Sequence, residues 1–249
     1  MGKIYTKEQQ INSYDCTCDY HLSPVALLNY FQQTSQEQSN ALGVGPEVLD
    51  QKGLAWFLVK YHIDFMTYPS FCDTVLLETE AVSVRGFLSH RRFTMKSLEG
   101  KILAEGKTHW MMLDREQNNK ILRVEDIPEN AVYEAFDSQE TYKMPHLCRV
   151  KKWEGEKQFQ VRYLDIDFNG HVNHVKYLAW AIETLPLKRI RDSELASADL
   201  VYKQQAFYGD VIQANYKEMK DDCYRIDIIN QDTTLLCQVQ IILRRKANK

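Results

Sequence analysis

The sequence predicts an α+β protein made of two copies of one unit, each an antiparallel sheet wrapped around a central helix. Three observations carry this. A polar segment runs into an apolar helix twice, from Tyr14 to Phe31 and from Tyr163 to Trp180, at an offset of 149 residues. Each helix is followed by runs of alternating or continuous apolar residues of strand length, separated by turn-forming residues. Residues 63–73 and 200–210 also line up end to end, both closing on an aspartate, Asp73 and Asp210.

In the first copy Ser23 caps the helix and Pro24 occupies its first turn, where the missing N–H has no partner to lose. Gly43, Gly45 and Pro46 mark its end or a following loop. Strands are expected over 55–66, 74–84, 87–97 and 101–113, with breaks at Tyr68-Pro69-Ser70, Arg85-Gly86 and Glu99-Gly100. In the second copy Asn173 is the cap, Val175, Leu178, Ala179 and Ile182 recur at helical spacing, and Pro186 stops the run. Strands follow over 198–205, 211–220, 224–230 and 235–245. Residues 118–155, charged and carrying Pro128 and Pro145, read as a surface connection with a short helix over 128–136. The expected division is therefore 1–117, 118–155 and 156–249. Two such sheets are expected to join edge to edge, protecting each other's open edges.

Composition narrows the function. A chain of 249 residues with 44% hydrophobic content can bury two fused cores. Lys+Arg at 31 against Asp+Glu at 34 leaves a formal net charge of -3, so no global basic field invites nucleic acid or an anionic membrane. No apolar run approaches the roughly 18 residues that span a bilayer, and no secretion signal is evident, so a cytoplasmic protein without membrane attachment is expected. The six cysteines, Cys16, Cys18, Cys72, Cys148, Cys223 and Cys237, show no CxxC pair and are expected as free buried thiols. No metal and no cofactor is assigned: His21, His62, His90, His109 and His146 have no neighbour in sequence that makes a ligand pair.

Residues 161–177 carry the chemistry. Asp167, Asn169 and His171 alternate at spacing two, which in an extended segment places all three on one face just before a helix start. The backbone N–H groups of Gly170 and Val172 are then candidates to stabilise an oxyanion beside a carboxylate and an imidazole. Asp165 is an alternative carboxylate, more suited to a structural hydrogen bond because it lies further from the helix. His174 is expected to pack. At the 149-residue offset the counterparts of Asp165, Asp167, Asn169 and His171 are Cys16, Cys18, Tyr20 and Leu22, so the first copy is expected to have lost the constellation.

The segment from Asp165 through Tyr177 resembles the catalytic segment of the acyl-acyl-carrier-protein thioesterases, double hot-dog hydrolases of plant plastids and many bacteria. Residues 22–32, 55–59, 108–113 and 200–210 resemble the same family in the same order, so the similarity spans essentially the whole chain. The resemblance implies a tandem hot-dog fold in which the first half shapes an acyl-chain cavity and the second supplies the site. It places Asp167, Asn169 and His171 at the family's catalytic positions. The family's glutamate position falls at Gln205, with Ala206 beside it, and a glutamine cannot act as a general base. Two interpretations follow: Asp167 or His171 moves the proton while Gln205 orients water, or the enzyme is slow. The implied reaction is hydrolysis of fatty acyl-acyl-carrier protein. The implied partner is acyl carrier protein bearing its acyl chain on phosphopantetheine, with the chain acting as monomer or homodimer. Hydrolysis of acyl-coenzyme A and acyl-thioester binding without turnover remain the alternatives. Aromatic and apolar residues of the first half, Tyr30, Phe31, Trp56, Phe57, Tyr61, Phe65, Trp110 and Met112, are core candidates. Basic clusters at 91–92, 188–191 and 244–246 are solvated faces, of which Lys188, Arg189 and Arg191 are preferred for an acidic carrier protein.

Overall fold

The computed structural model describes residues 4–127, 144–220 and 222–246. The helix expected over 128–136 lies outside them. The chain divides into two compact units, Met1–Met144 and Pro145–Lys249.

In the first unit strand β1 (Tyr5–Gln10) leads to helix α1 (Pro24–Ala41), a short α2 (Pro46–Asp50), and strands β2 (Leu54–Phe65), β3 (Thr74–Arg85), β4 (Leu88–Ser97), β5 (Ile102–Asp114) and β6 (Lys120–Leu122). The second unit contains β7 (Gly155–Gln160), α3 (Val175–Thr184), α4 (Leu187–Asp192), β8 (Ser193–Tyr202), β9 (Val211–Glu218), β10 (Cys223–Asn230) and β11 (Leu235–Arg245). Strand order in the first is β1-β3-β4-β5-β2, with β6 paired to the end of β5. In the second it is β7-β9-β10-β11-β8, the same order element for element. Each neighbouring pair within a unit is antiparallel. Both units are therefore hot-dogs, an antiparallel sheet around one helix.

Local chemistry accounts for the helix ends. The Ser23 hydroxyl accepts the Ala26 N–H at 3.1 Å, with Pro24 as first helical residue, and Gly43 at φ +75° ends α1 in the left-handed conformation that only glycine adopts cheaply. Helix α1 buries Ala26, Leu27, Leu28, Phe31 and Thr34 and lies mainly against β3. Phe31 stacks on Phe93 at 5.0 Å between ring centroids. Gly106 of β5 makes room for this: a Cβ there would meet the Tyr61 ring at 3.2 Å and the Phe31 ring at 3.3 Å. Of the expected core residues, Phe31, Tyr61, Phe65 and Met112 are buried, whereas Tyr30, Trp56, Phe57 and Trp110 are only half-buried.

Three differences from the expected elements have physical reasons. β1 and β7 showed no strand pattern because they are polar edge strands, Tyr-Thr-Lys-Glu-Gln-Gln and Gly-Glu-Lys-Gln-Phe-Gln, each paired on one side within its unit. β8 starts at Ser193 rather than 198, because Ser193 and Ser197, small residues that read as loop, pair with β11. The cysteines are free, but only Cys237 is buried; Cys18, Cys72 and Cys148 are exposed.

Candidate active site

The segment from Arg162 to Asn173 is a hairpin-like loop, not the extended strand that spacing two implied. A single 3-10 turn, Tyr163–Asp165, opens it. Ile166 and Val172 then form an isolated antiparallel bridge, with the Asp167 N–H donating to the His171 carbonyl at 2.9 Å and Gly170 N–H to the Asp167 carbonyl at 3.0 Å. The Asp167 carboxylate accepts the Asn169 N–H at 2.8 Å, a local turn that aspartate favours, and Gly170 takes φ +81°. Asn173 closes the loop: the N-cap position of α3 is His174, one residue later than expected, but it is the Asn173 side chain that accepts the Val175 N–H, at 3.2 Å.

Asp165 anchors the loop from below. It is buried, accepts the Arg162 backbone N–H at 3.0 Å and the Arg162 guanidinium at 3.0 and 3.1 Å, and lies 3.2 Å from Lys176 Nζ. Burial pushes its pKa up, but the Arg162 donors and Lys176 outweigh it and hold the carboxyl at about 2. Its carbonyl also accepts the Asn173 N–H at 2.9 Å.

Within this frame Asp167 and His171 come together. His171 Nδ1 lies 3.9 Å from Asp167 Oδ1, the two side chains being 25% and 10% exposed. That is an ion-pair distance beyond a direct hydrogen bond. Asn169 points outward and is exposed. The Val172 N–H donates to the Ala206 carbonyl at 2.9 Å, so the chain carrying exposed Gln205 runs directly beside the loop. The two N–H groups expected to stabilise an oxyanion are spent: Gly170's goes to Asp167 and Val172's to Ala206. The His171 N–H has no acceptor among the described residues.

Sequence reasoning missed Tyr177. Its side chain is buried, with the Ala206 backbone and the negative charge of Asp167 near its hydroxyl, so it packs α3 against the strand end that carries Gln205. Burial above all, then the neighbouring Cys237 and to a lesser degree Asp210 and Asp167, pushes its pKa up. The signal was the residue itself: a tyrosine on the buried face of α3 needs a polar partner for its tip. His174 does pack, edge-on to Tyr202 at 6.1 Å, and burial lowers its pKa to about 4, so it is neutral.

The first unit contains the same loop at an offset of 150, not 149. The 3-10 turns Ser13–Asp15 and Tyr163–Asp165, the bridges Cys16 to Leu22 and Ile166 to Val172, and the hydrogen-bonding side chains of Ser23 and Asn173 ahead of the helices correspond in order. The hydrogen bonds repeat as well: Thr17 N–H to His21 carbonyl, Tyr20 to Thr17, Ser23 to Asp15, and Leu22 to Pro69. The structural counterparts of Asp165, Asp167, Asn169 and His171 are thus Asp15, Thr17, Asp19 and His21. The expectation that the first copy lost every polar group is overturned. It keeps an aspartate, an aspartate and a histidine, and His21 Nδ1 lies 3.3 Å from Ser70 Oγ. The carboxylate it lacks is that of Asp167.

Two family models cover the chain: the acyl-ACP thioesterase N-terminal domain over residues 2–132 and the acyl-ACP thioesterase C-terminal domain over residues 149–247. The chain belongs to the acyl-ACP thioesterase family. It is 27% identical over 241 residues to the chloroplastic palmitoyl-acyl carrier protein thioesterase of Gossypium hirsutum, a match covering 86% of this chain and 54% of that one. The chain thus spans about half the length of the curated relatives it matches. A Lactobacillus plantarum structure provisionally described as an oleoyl thioesterase superposes with a TM-score of 0.87 at 25% identity, covering 99% of this chain and 98% of that chain. The 12:0-ACP thioesterase of Umbellularia californica superposes with a TM-score of 0.86 at 19% identity, covering 98% of each, which shows the fold.

Other surfaces of this family member are less chemical. Lys188, Arg189 and Arg191 lie on α4, and Arg189 is already engaged by Glu218 at 2.7 Å and Asp222 at 3.5 Å. Lys188 and Arg191 are exposed. Among the described residues no group of three His, Cys, Asp or Glu side chains is placed to hold a metal ion, and no helix is long and apolar enough to cross a membrane.

Proposed function

We propose that this chain hydrolyses the thioester of fatty acyl-acyl-carrier protein, releasing free fatty acid and ending chain extension. The observation that carries the reading is the Asp167 and His171 pair, held 3.9 Å apart in a hydrogen-bonded loop of the family's C-terminal domain. The names of the relatives support the substrate class.

In this reading the attacking water is held between the Asp167 carboxylate and the imidazole of His171. His171 Nδ1 lies 3.4 Å from the Val172 carbonyl, a contact that only a protonated Nδ1 makes, so Nε2 takes the water's proton as oxygen attacks the carbonyl carbon. The proton then passes to the departing thiol. Asp167 orients the water and stabilises the imidazolium that forms. The His171 N–H, together with the exposed Asn169 amide, replaces Gly170 and Val172 as donor to the oxyanion. Gln205 hydrogen-bonds water or carbonyl but transfers no proton. The first domain, residues 1–117, takes the acyl chain, and its copy of the loop is silent because Thr17 stands where Asp167 supplies the carboxylate. Phosphopantetheine-linked acyl chains on an acidic carrier protein are the partner, met in the cytoplasm by a monomer or homodimer.

Gln205 also favours a second reading, a weak enzyme that binds acyl thioesters and turns them over slowly. Hydrolysis of carrier-protein and coenzyme A thioesters by wild type, Asp167→Ala and Gln205→Glu separates the readings. Turnover of the carrier-bound substrate, a loss of ~10²–10⁴-fold in Asp167→Ala and little change in Gln205→Glu are expected. A large gain from Gln205→Glu selects the weak enzyme, and equal use of coenzyme A thioesters refutes the carrier-protein assignment.

A further inference from the structure

Along β10 alternate side chains share a face, so Cys223, Arg225 and Asp227 project together, and Arg225 donates to Asp227 at 2.7 Å. Register carries Gln240 of β11 opposite Arg225, and Asp199 of β8 opposite Gln240. This face is polar, yet Arg225 is 3% exposed. A strap of chain ahead of β7 lies over it and is bolted down at one residue. The Cys148 N–H donates to Gln240 Oε1 at 2.9 Å, and the Cys148 carbonyl accepts from Arg225 Nε at 2.9 Å. Cys148 is therefore fixed beside Arg225, two residues along the same face from Cys223, and its thiol is near enough to raise the Cys223 pKa. A sheet face with two buried polar side chains turned toward one backbone unit holds the strap in register over the strand that carries Cys223.

We propose that Cys148 and Cys223 form a redox-active pair that closes into a reversible disulfide, a hydroperoxide being the oxidant, and so staples the strap to the outer face of the second sheet. The exposed Cys148 is the thiol the oxidant reaches first. Its thiolate attacks the peroxide oxygen, the O–O bond breaks, and a sulfenic acid forms while the departing hydroxide takes a proton to become water. The Cys223 sulfur then attacks the Cys148 sulfur and expels hydroxide, which takes the Cys223 proton as water leaves. One S–S bond is made, two electrons pass from the thiol pair to one hydrogen peroxide, and two waters are produced. Burial, then the neighbouring Cys148, holds the Cys223 pKa up at about 11, so Cys223 stays protonated at neutral pH and acts as the resolving partner. Cys16 and Cys72 are the competing neighbours, but the Cys16 thiol already donates to the Asn12 carbonyl at 3.3 Å.

The test uses the full chain, reduced and then treated with stoichiometric hydrogen peroxide, followed by blocking of free thiols and mass spectrometry of non-reduced peptides. The expected product is a single species lighter by two hydrogens whose cross-linked peptide joins Cys148 to Cys223 and is released by dithiothreitol. Cys148→Ser and Cys223→Ser, checked for folding by circular dichroism, should each abolish that peptide, with Cys148 trapped as a sulfenic acid adduct in Cys223→Ser. Cross-linking of Cys16 to Cys72 instead, or stepwise oxygen addition to Cys148 in wild type with no cross-link, overturns the proposal.

Discussion

Asp165→Asn tests whether the loop is held by a buried charge. The substitution keeps the shape of a side chain that is 1% exposed but removes the charge facing Arg162 and Lys176. The folded carboxyl titrates at about 2 against an ordinary 3.8. A depressed carboxylate pKa contributes stability that is fully present above the unfolded value and is lost as pH falls through the folded one. At about 1.4 kcal/mol per pH unit, this shift corresponds to about 2 kcal/mol at neutral pH, absent in the variant. Urea denaturation of wild type and Asp165→Asn should therefore differ by about 2 kcal/mol at pH 7, and the gap should close between pH 4 and pH 2. A gap of the same size at pH 2.5 and pH 7 would refute the charge argument, and no gap at pH 7 would show that exposed Arg162 contributes nothing to the loop.

Other variants reach different parts of the structure. Gly106→Ala pushes a methyl into Phe31 and Tyr61 and should cost about 1–3 kcal/mol of stability, read by chemical denaturation; a neutral result would mean that α1 has room to shift. Tyr177→Phe removes the hydroxyl beside the Ala206 backbone, and kcat should fall several-fold with KM nearly unchanged if that hydroxyl positions the Gln205 strand end; wild-type kcat in this variant would exclude that positioning role. Reversing Lys188 and Arg191 to Glu should raise KM for carrier-bound thioester but not for a small thioester, whereas Arg189→Ala should mainly cost stability through Glu218 and Asp222; equal effects of the reversal on both substrates would discard α4 as docking surface.

Much of this was legible in the chain. The sheet-and-helix unit, its duplication, the capping side chains of Ser23 and Asn173 and the stop near Pro186 follow from local rules, because capping, periodicity and turn chemistry act over a few residues. Edge strands β1 and β7 were not legible, since a strand paired on one side within its unit needs no apolar alternation. The candidate residues Asp167, Asn169 and His171 could be named from the segment, but their mutual placement could not. Spacing two means one face only in a strand, and the Asx turn at Asp167 and left-handed Gly170 bent the segment into a loop instead.

By itself, then, the sequence determined which residues are available for chemistry and that the fold is built twice. Only the tertiary structure decided which N–H groups are free, that Asp165 is an anchor, and that the first copy keeps His21 but not the carboxylate. A one-residue difference in offset is invisible to apolar periodicity, which tolerates slippage in loops. It is fixed by the backbone hydrogen bonds of the two loops, Thr17 to His21 and Asp167 to His171, because each donor has one acceptor in reach.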